Sequence, residues 1–268
     1  MKKILFLKTA LAALVAATSA SAADLATRLD AETPPSAPEV APVYNWTGFY
    51  VGGNVGGIWG GQRDTLVNFT SDGYDLGPAF RSGSGSGLLG GVHGGYNWQT
   101  SSQLVFGVEG DFDWTGLKHN DSGNLTAFGG SLFGTSLWGV SDRLNWLASA
   151  RLRLGYAAGN WMPYATGGAA WSNTNYTGFV TNNIAAGGGY GRYDETLTHT
   201  GWVAGAGIEY MATHNWLLRF EYLHYGFGGE QIVGATNPTF VSGAHGVFTL
   251  GSTSFDTVRV GVSYKFGG

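Results

Sequence analysis

The sequence predicts an all-β fold: an eight-stranded antiparallel up-and-down transmembrane β-barrel with short turns at one end and four long loops at the other. Three observations carry this expectation. Glycine supplies 46 of 268 residues and aromatics 14%, while only 12% are charged; beyond residue 22 no run approaches the ~18 apolar residues that a membrane-spanning helix needs. From Trp46 onward apolar and polar residues alternate with a period of two, as when one face of a strand meets an apolar medium. The connections between these segments alternate between a few residues and about 18 to 27, an asymmetry that bacterial membrane barrels show.

Composition also excludes. Zero cysteines remove disulfides, thiolate zinc sites and cysteine catalysis. The lack of a Gly-X-Y period excludes collagen, and the aromatic content excludes a disordered chain. Residues 1–22 read as a secretory signal peptide: Lys2, Lys3 and Lys8 form its basic end, Ile4 to Val15 its apolar stretch, and Ala20-Ser21-Ala22 its cleavage site. Removal takes three of the 14 Lys and Arg residues and none of the 18 Asp and Glu, leaving a formal charge of −7. A phosphate-tracking surface needs clustered Lys and Arg, so nucleic acid is not an expected partner. Residues 23–43 hold Pro34, Pro35, Pro38 and Pro42 among alanines and read as an Ala/Pro-rich periplasmic linker. Residues 44–268 form the barrel.

Its strands are expected at roughly 48–60, 88–99, 103–114, 142–158, 161–176, 195–213, 215–228 and 254–266. The first and fifth are rich in glycine and their facing is open. The second sets Leu88, Val92, Tyr96 and Trp98 against His93 and Asn97; the third sets Leu104, Phe106, Val108, Phe112 and Trp114 against Glu109, Asp111 and Asp113. In the fourth, Trp146, Ala148, Ala150, Leu152, Leu154 and Tyr156 oppose Ser149, Arg151 and Arg153. The sixth sets Trp202, Ala204, Ala206, Ile208 and Tyr210 against Gly205, Gly207 and Glu209, and the seventh Trp216, Leu218, Phe220 and Tyr222 against Arg219 and Glu221. The eighth is the clearest: Val258, Val260, Val262, Tyr264 and Phe266 on one face, Thr257, Arg259, Gly261, Ser263 and Lys265 on the other. Thr100–Ser102, Gly159–Asn160 and His214 mark the short turns.

A soluble lipocalin-like barrel would bury its apolar face, yet here the apolar face carries large aromatics at both strand ends. Trp98, Tyr156, Trp161, Tyr210, Trp216 and Phe266 lie near the short turns; Trp59, Trp114, Trp146, Trp171 and Trp202 lie near the long loops. These read as the two girdles of a membrane barrel, at headgroup level. An even strand count leaves both termini in the periplasm, the short turns beside them and the long loops outside.

Eight strands enclose an interior that side chains just fill. The inward set is Glu109, Asp111, Arg151, Arg153, Glu209, Arg219, Glu221 and Arg259. In a narrow lumen opposite charges pair, because an unpaired buried charge costs several kcal/mol. Two readings stay open, a structural plug of ion pairs and a charged constriction that passes water or small ions.

The stretch Tyr44-Asn45-Trp46-Thr47-Gly48-Phe49-Tyr50-Val51-Gly52-Gly53-Asn54, after an Ala/Pro linker, resembles the opening of alphaproteobacterial outer-membrane immunogenic proteins, small porin-family barrels with an OmpA-type membrane fold. The closing Val258-Arg259-Val260-Gly261-Val262-Ser263-Tyr264-Lys265-Phe266 resembles their last strand. The resemblance implies a surface-exposed cell-outer-membrane protein among lipid and lipopolysaccharide. It also implies an assembly signal at Tyr264 and Phe266 for the barrel-assembly machinery, here followed by Gly267 and Gly268. It further implies that Ala23, exposed by cleavage and followed by Asp24, is a site of attachment to peptidoglycan.

Other functions are weaker. His224 lies on the lipid-facing parity of the seventh strand, with Tyr222 and Tyr225 beside it, and reads as a girdle residue; no nucleophile motif accompanies it, so no enzyme is expected. His93, His119, His199, His214, His224 and His245 are scattered without metal-ligand spacing, so no cofactor is expected; haem binding, implied by some relatives, is the lesser alternative. The loops carry Gly83-Ser84-Gly85-Ser86-Gly87 and Asn173-Thr174-Asn175, with apolar Leu132-Phe133, Leu137-Trp138, Phe240-Val241 and Val247-Phe248. They read as strand-extending hairpins or as a contact surface for host or phage molecules. The expected role is envelope structure and surface presentation, with a narrow porin-type channel as the alternative.

Overall fold

The computed structural model describes residues 44–62, 65–71, 74–75, 79–81, 84–126, 135–182, 190–235, 245–250 and 252–267. The signal peptide, the linker and Ala23 lie outside the described residues, as do Leu132-Phe133 and Phe240-Val241.

Eight long strands form the barrel: β1 (Gly48–Gln62), β2 (Gly85–Gln99), β3 (Leu104–Thr115), β4 (Thr135–Tyr156), β5 (Trp161–Asn182), β6 (Tyr190–Met211), β7 (Trp216–Phe227) and β8 (Thr253–Phe266). Each pairs antiparallel with the next. β1 also pairs with β8, from Phe49↔Phe266 to Gln62↔Thr253, which closes the sheet. Closure gives the spanning part of each strand a partner on both sides, the condition for strands to cross hydrocarbon.

At the periplasmic end the connections are tight. Thr100 N donates to Leu104 O and Gln103 N to Thr100 O, with Gln103 at φ 66°. The turn between β4 and β5 places Gly159 at φ 64°, a conformation that glycine adopts without strain.

At the external end the strands outrun the sequence expectation. β4, β5 and β6 each run 22 residues, well past the expected starts and ends. Much of the four long connections is likewise paired strand and not loop. Lys118–Thr126 pairs with the upper part of β4. Thr65–Ser71, Tyr74–Asp75, Ala79–Arg81, Glu230–Ala235 and His245–Leu250 form a second sheet of five strands. The reason is physical: above the membrane the outward face meets water instead of lipid, so no apolar period is written there. On the outward face of β5, Trp171 is followed by Asn173, Asn175 and Thr177. Asn173 accepts from Asn145 Nδ2 (2.9 Å) and donates to Thr198 Oγ1 (3.1 Å), and Asn175 donates to Asp194 Oδ1 (3.1 Å). This change from indole to amide marks where β5 leaves the lipid. A β-bulge between Leu144 and Trp146 sits at the same level of β4.

The outward wall is apolar, with Leu152 at 69% exposure and Val260 at 52%. The inward face is packed, and its composition changes with height. β7 shows it: its inward residues run Leu217, Arg219, Glu221, Leu223, Tyr225, Phe227 from the periplasmic end outward. An apolar layer, a charged layer and a second apolar layer therefore stack along the lumen.

Candidate functional site

The charged layer is built where β3, β4, β6, β7 and β8 bring inward carboxylates and guanidiniums to one height. The structure places all eight of the expected lumen residues there, each 5% exposed or less except Asp111 at 7%. Arg151 contacts Glu109, Glu221 Oε1 (3.1 Å) and Asp111 Oδ2 (3.2 Å). Arg153 reaches Glu209 Oε1 (2.8 Å), and Arg219 reaches Glu109 Oε2 and Glu209 Oε1, both at 2.6 Å. Arg259 donates to Asp111 Oδ1 (3.0 Å), Asp113 and Glu221 Oε2 (2.7 Å). Such dense mutual pairing offsets the desolvation that any one of these charges would suffer alone.

Sequence reasoning missed three members. Tyr50 donates to Glu109 Oε2 (2.6 Å) and accepts from Arg153 Nη1 (2.8 Å). Tyr164 donates to Glu221 Oε1 (2.9 Å), and the Arg153 guanidinium lies 4.0 Å from its ring centroid. Asp113, placed on the polar face but not in the network, binds Arg259. Both tyrosines lie on the strands left open because of their glycines. The signal was the spacing Tyr50-x-Gly52-x-Asn54-x-Gly56-x-Ile58, whose larger members all prove buried.

Also missed were the apolar layers. On the external side Ile58, Leu89, Leu117, Leu144, Leu147, Ala170, Val203, Leu223, Tyr225, Phe227 and Phe255 form one buried cluster. On the periplasmic side Trp46, Val105, Ala157, Met162, Tyr164, Met211 and Leu217 form another. Trp46 is fully buried; its backbone N–H donates to Gln99 Oε1 (2.8 Å) and its indole N–H to Gly159 O (3.2 Å), so it is held both at the β2 end and at the β4–β5 turn. Beyond the external layer, Leu117, His119, Asp142, Leu144, Thr174, Tyr176, Thr253 and Phe255 help line a cavity of about 30 Å³, room for one or two waters.

The girdle residues all face outward. Trp59, Trp98, Trp114, Tyr156, Trp161, Trp202, Trp216 and Phe266 are exposed, and Trp146, Trp171 and Tyr210 are half-buried. Tyr264 and Phe266 pack edge to face at 5.1 Å. The histidines are dispersed: His93 bonds Ser263 Oγ inside the lumen (2.7 Å), His199 meets Tyr176 Oη (3.1 Å), and His224 pairs with Asp256 on the outer wall. Tyr225, beside His224 in sequence, points inward.

Comparison with known proteins gives a consistent result. The family described as outer membrane protein beta-barrel domain matches residues 9–266. The chain is 32% identical over 253 residues to the 31 kDa outer-membrane immunogenic protein of Brucella melitensis, covering 93% of this chain and 95% of the relative. It is 29% identical to the 22 kDa outer membrane protein of Rhizobium leguminosarum bv. viciae, covering 85% and 81%. The crystal structure of the outer membrane protein OprG from Pseudomonas aeruginosa is similar at 13% identity and a TM-score of 0.48, over 84% of this chain and 99% of that one.

Proposed function

The chain belongs to the outer membrane protein β-barrel family, and on that footing we propose that it is a non-conducting, non-enzymatic envelope barrel. Its work is to brace the outer membrane and to present its external strands to the surroundings. One observation carries this reading: buried apolar clusters lie on both sides of the ion-pair layer. An apolar constriction is a barrier to ions by itself, and on this reading the two clusters act as two such barriers in series. The narrow-channel alternative requires both to part while the ion pairs between them rearrange. Surface presentation is supported by the strands that continue past the external girdle and by the similarity to proteins called immunogenic.

Single-channel recording of the refolded protein in planar bilayers tests it. A silent, heat-modifiable barrel is the expected result. Steady conductance steps that change with Arg219 overturn it and make the lumen a porin. Attachment to the cell wall through Ala23 is a separate proposal that rests on the Ala23-Asp24 sequence and the resemblance that gives it meaning. Mass spectrometry of muramidase-digested envelopes tests it, and finding only unmodified Ala23 termini overturns it.

A further inference from the structure

The external girdle lacks a tryptophan on three of its eight strands. β1, β3, β4, β5 and β6 each face an outward tryptophan at its level, Trp59, Trp114, Trp146, Trp171 and Trp202. β2 keeps the wall apolar there with Leu88, whereas β7 and β8 bring the polar pair His224 and Asp256, which are register partners. Asp256 stands opposite Trp59 on β1, and on the other side the Trp202 ring lies 5.4 Å from the His224 ring. Around the wall the order is therefore Trp59, Asp256, His224, Trp202. Two exposed indoles, at 42% and 53%, flank a carboxylate–imidazole pair.

The height suits a headgroup. About ten residues of β8 separate Asp256 from Phe266 in the periplasmic girdle, which at ~3.4 Å per residue and a tilt of ~40° is a rise of roughly 26 Å, one apolar band. The cost of an outward charge is lowest at that interface, so Asp256 is tolerable there in a way it would not be at mid-wall.

The bonding leaves open valences. Asp256 Oδ1 accepts from both Tyr222 Oη (2.6 Å) and His224 Nδ1 (2.8 Å). Both bonds fall on one oxygen, so Oδ2 keeps its acceptor capacity. With Nδ1 engaged, His224 Nε2 is the ring nitrogen left for an outside partner.

We propose that this gap in the girdle binds the sugar headgroup of an outer-leaflet glycolipid. Sugar hydroxyl or amide groups donate to Asp256 Oδ2 and bond His224 Nε2. The apolar face of the sugar ring lies on Trp202 or Trp59, and the acyl chains run down the wall over Phe220 and Val260. A polar rim and an apolar ring face in one molecule match a carboxylate between indoles. A bare phosphate matches it poorly, because it would face the Asp256 carboxylate. The inference rests on the barrel's place in the outer membrane and not on the sealed lumen, so a conducting barrel would leave it standing.

The probe is purified lipopolysaccharide added to the refolded protein in detergent, with retention after detergent exchange read by native mass spectrometry. The wild type is expected to retain it, and Asp256→Asn and Asp256→Ala to bind at least about tenfold more weakly, as for one lost charge-assisted hydrogen bond. Trp202→Ala is expected to weaken binding and Trp171→Ala to leave it unchanged, with the heat-modifiable gel shift reporting an intact barrel in each. Equal retention by the wild type and both Asp256 variants overturns the proposal. Tighter retention of phosphatidylglycerol than of lipopolysaccharide overturns the sugar assignment. Competition by the deacylated saccharide at equal concentration overturns the lipid assignment.

Discussion

Arg219 Nη2 lies 2.6 Å from Glu109 Oε2, a contact across the lumen between side chains 110 positions apart in sequence. It ties β7 to β3, strands that are not neighbours in the sheet, and so braces the barrel against flattening. Arg219→Ala leaves Glu109 and Glu209 each short of a partner in a buried interior. The expected loss is about 3–5 kcal/mol, read as a shifted midpoint in denaturant unfolding of the refolded barrel. Conductance is expected to stay at zero, because both apolar layers remain.

The network holds five buried carboxylates, Glu109, Asp111, Asp113, Glu209 and Glu221, against four guanidiniums, Arg151, Arg153, Arg219 and Arg259. Asp111 and Asp113 both receive Arg259 Nη1, but Asp111 also contacts Arg151 and Ser149. Asp113→Asn is therefore expected to cost less than about 1 kcal/mol, or to stabilise, whereas Asp111→Asn costs roughly 2–3 kcal/mol as charged hydrogen bonds are lost. The reverse order in paired unfolding curves would show that Asp113 is the more tightly compensated carboxylate.

Val260 faces outward near the middle of β8 and is 52% exposed. Val260→Arg is expected to cost about 2–4 kcal/mol in lipid vesicles, the penalty of a cation near the midplane. Gln, Ser or Thr at Val260 serves as the uncharged comparison. A negligible penalty for Arg would place Val260 away from the midplane.

Two adjacent glycines of β1 give a sharper contrast. A Cβ on Gly56 points inward and would lie 2.1 Å from Val258 O and 2.9 Å from Arg259 Cα, whereas one on Gly57 meets nothing within 4 Å. Gly57→Ala is expected to be neutral or to stabilise by about 0.4–1 kcal/mol through the unfolded chain. Gly56→Ala must move β8 or fail to close the barrel, and refolding yield on gels separates the two.

What the sequence discloses follows from where lipid and water meet the chain. Between Val258 and Phe266 one face touches lipid and the other the lumen, so the alternation is plain and the facing follows. At Asn173 to Thr177 the outward face carries amides and a hydroxyl while Thr174 and Tyr176 stay buried inside, so no apolar face is written and the strand's end at Asn182 was not legible. Inside the lumen the difficulty is the opposite. Along Tyr222, Leu223, His224, Tyr225 and Phe227 the inward residues are as apolar as the outward ones, so the external seal hides in a run without alternation. Tyr50 and Tyr164 were obscured because glycines and alanines along their strands leave no face to read. The charged layer was legible because an arginine or glutamate between apolar neighbours on a spanning strand has only the lumen to enter.

From Trp171 to its end at Asn182, β5 extends about 35 Å beyond the indole at roughly 3.3 Å per residue, hydrogen-bonded to β4 and β6 on both sides. An antibody approaching the cell therefore meets a stiff ribbon whose shape is set by neighbouring chain segments remote in sequence. If the chain is presented at the surface as proposed, epitopes there are expected to be conformational. Serum raised against the folded barrel should bind intact cells and lose that binding when the protein is boiled, while excised peptides of the same residues should be poor immunogens.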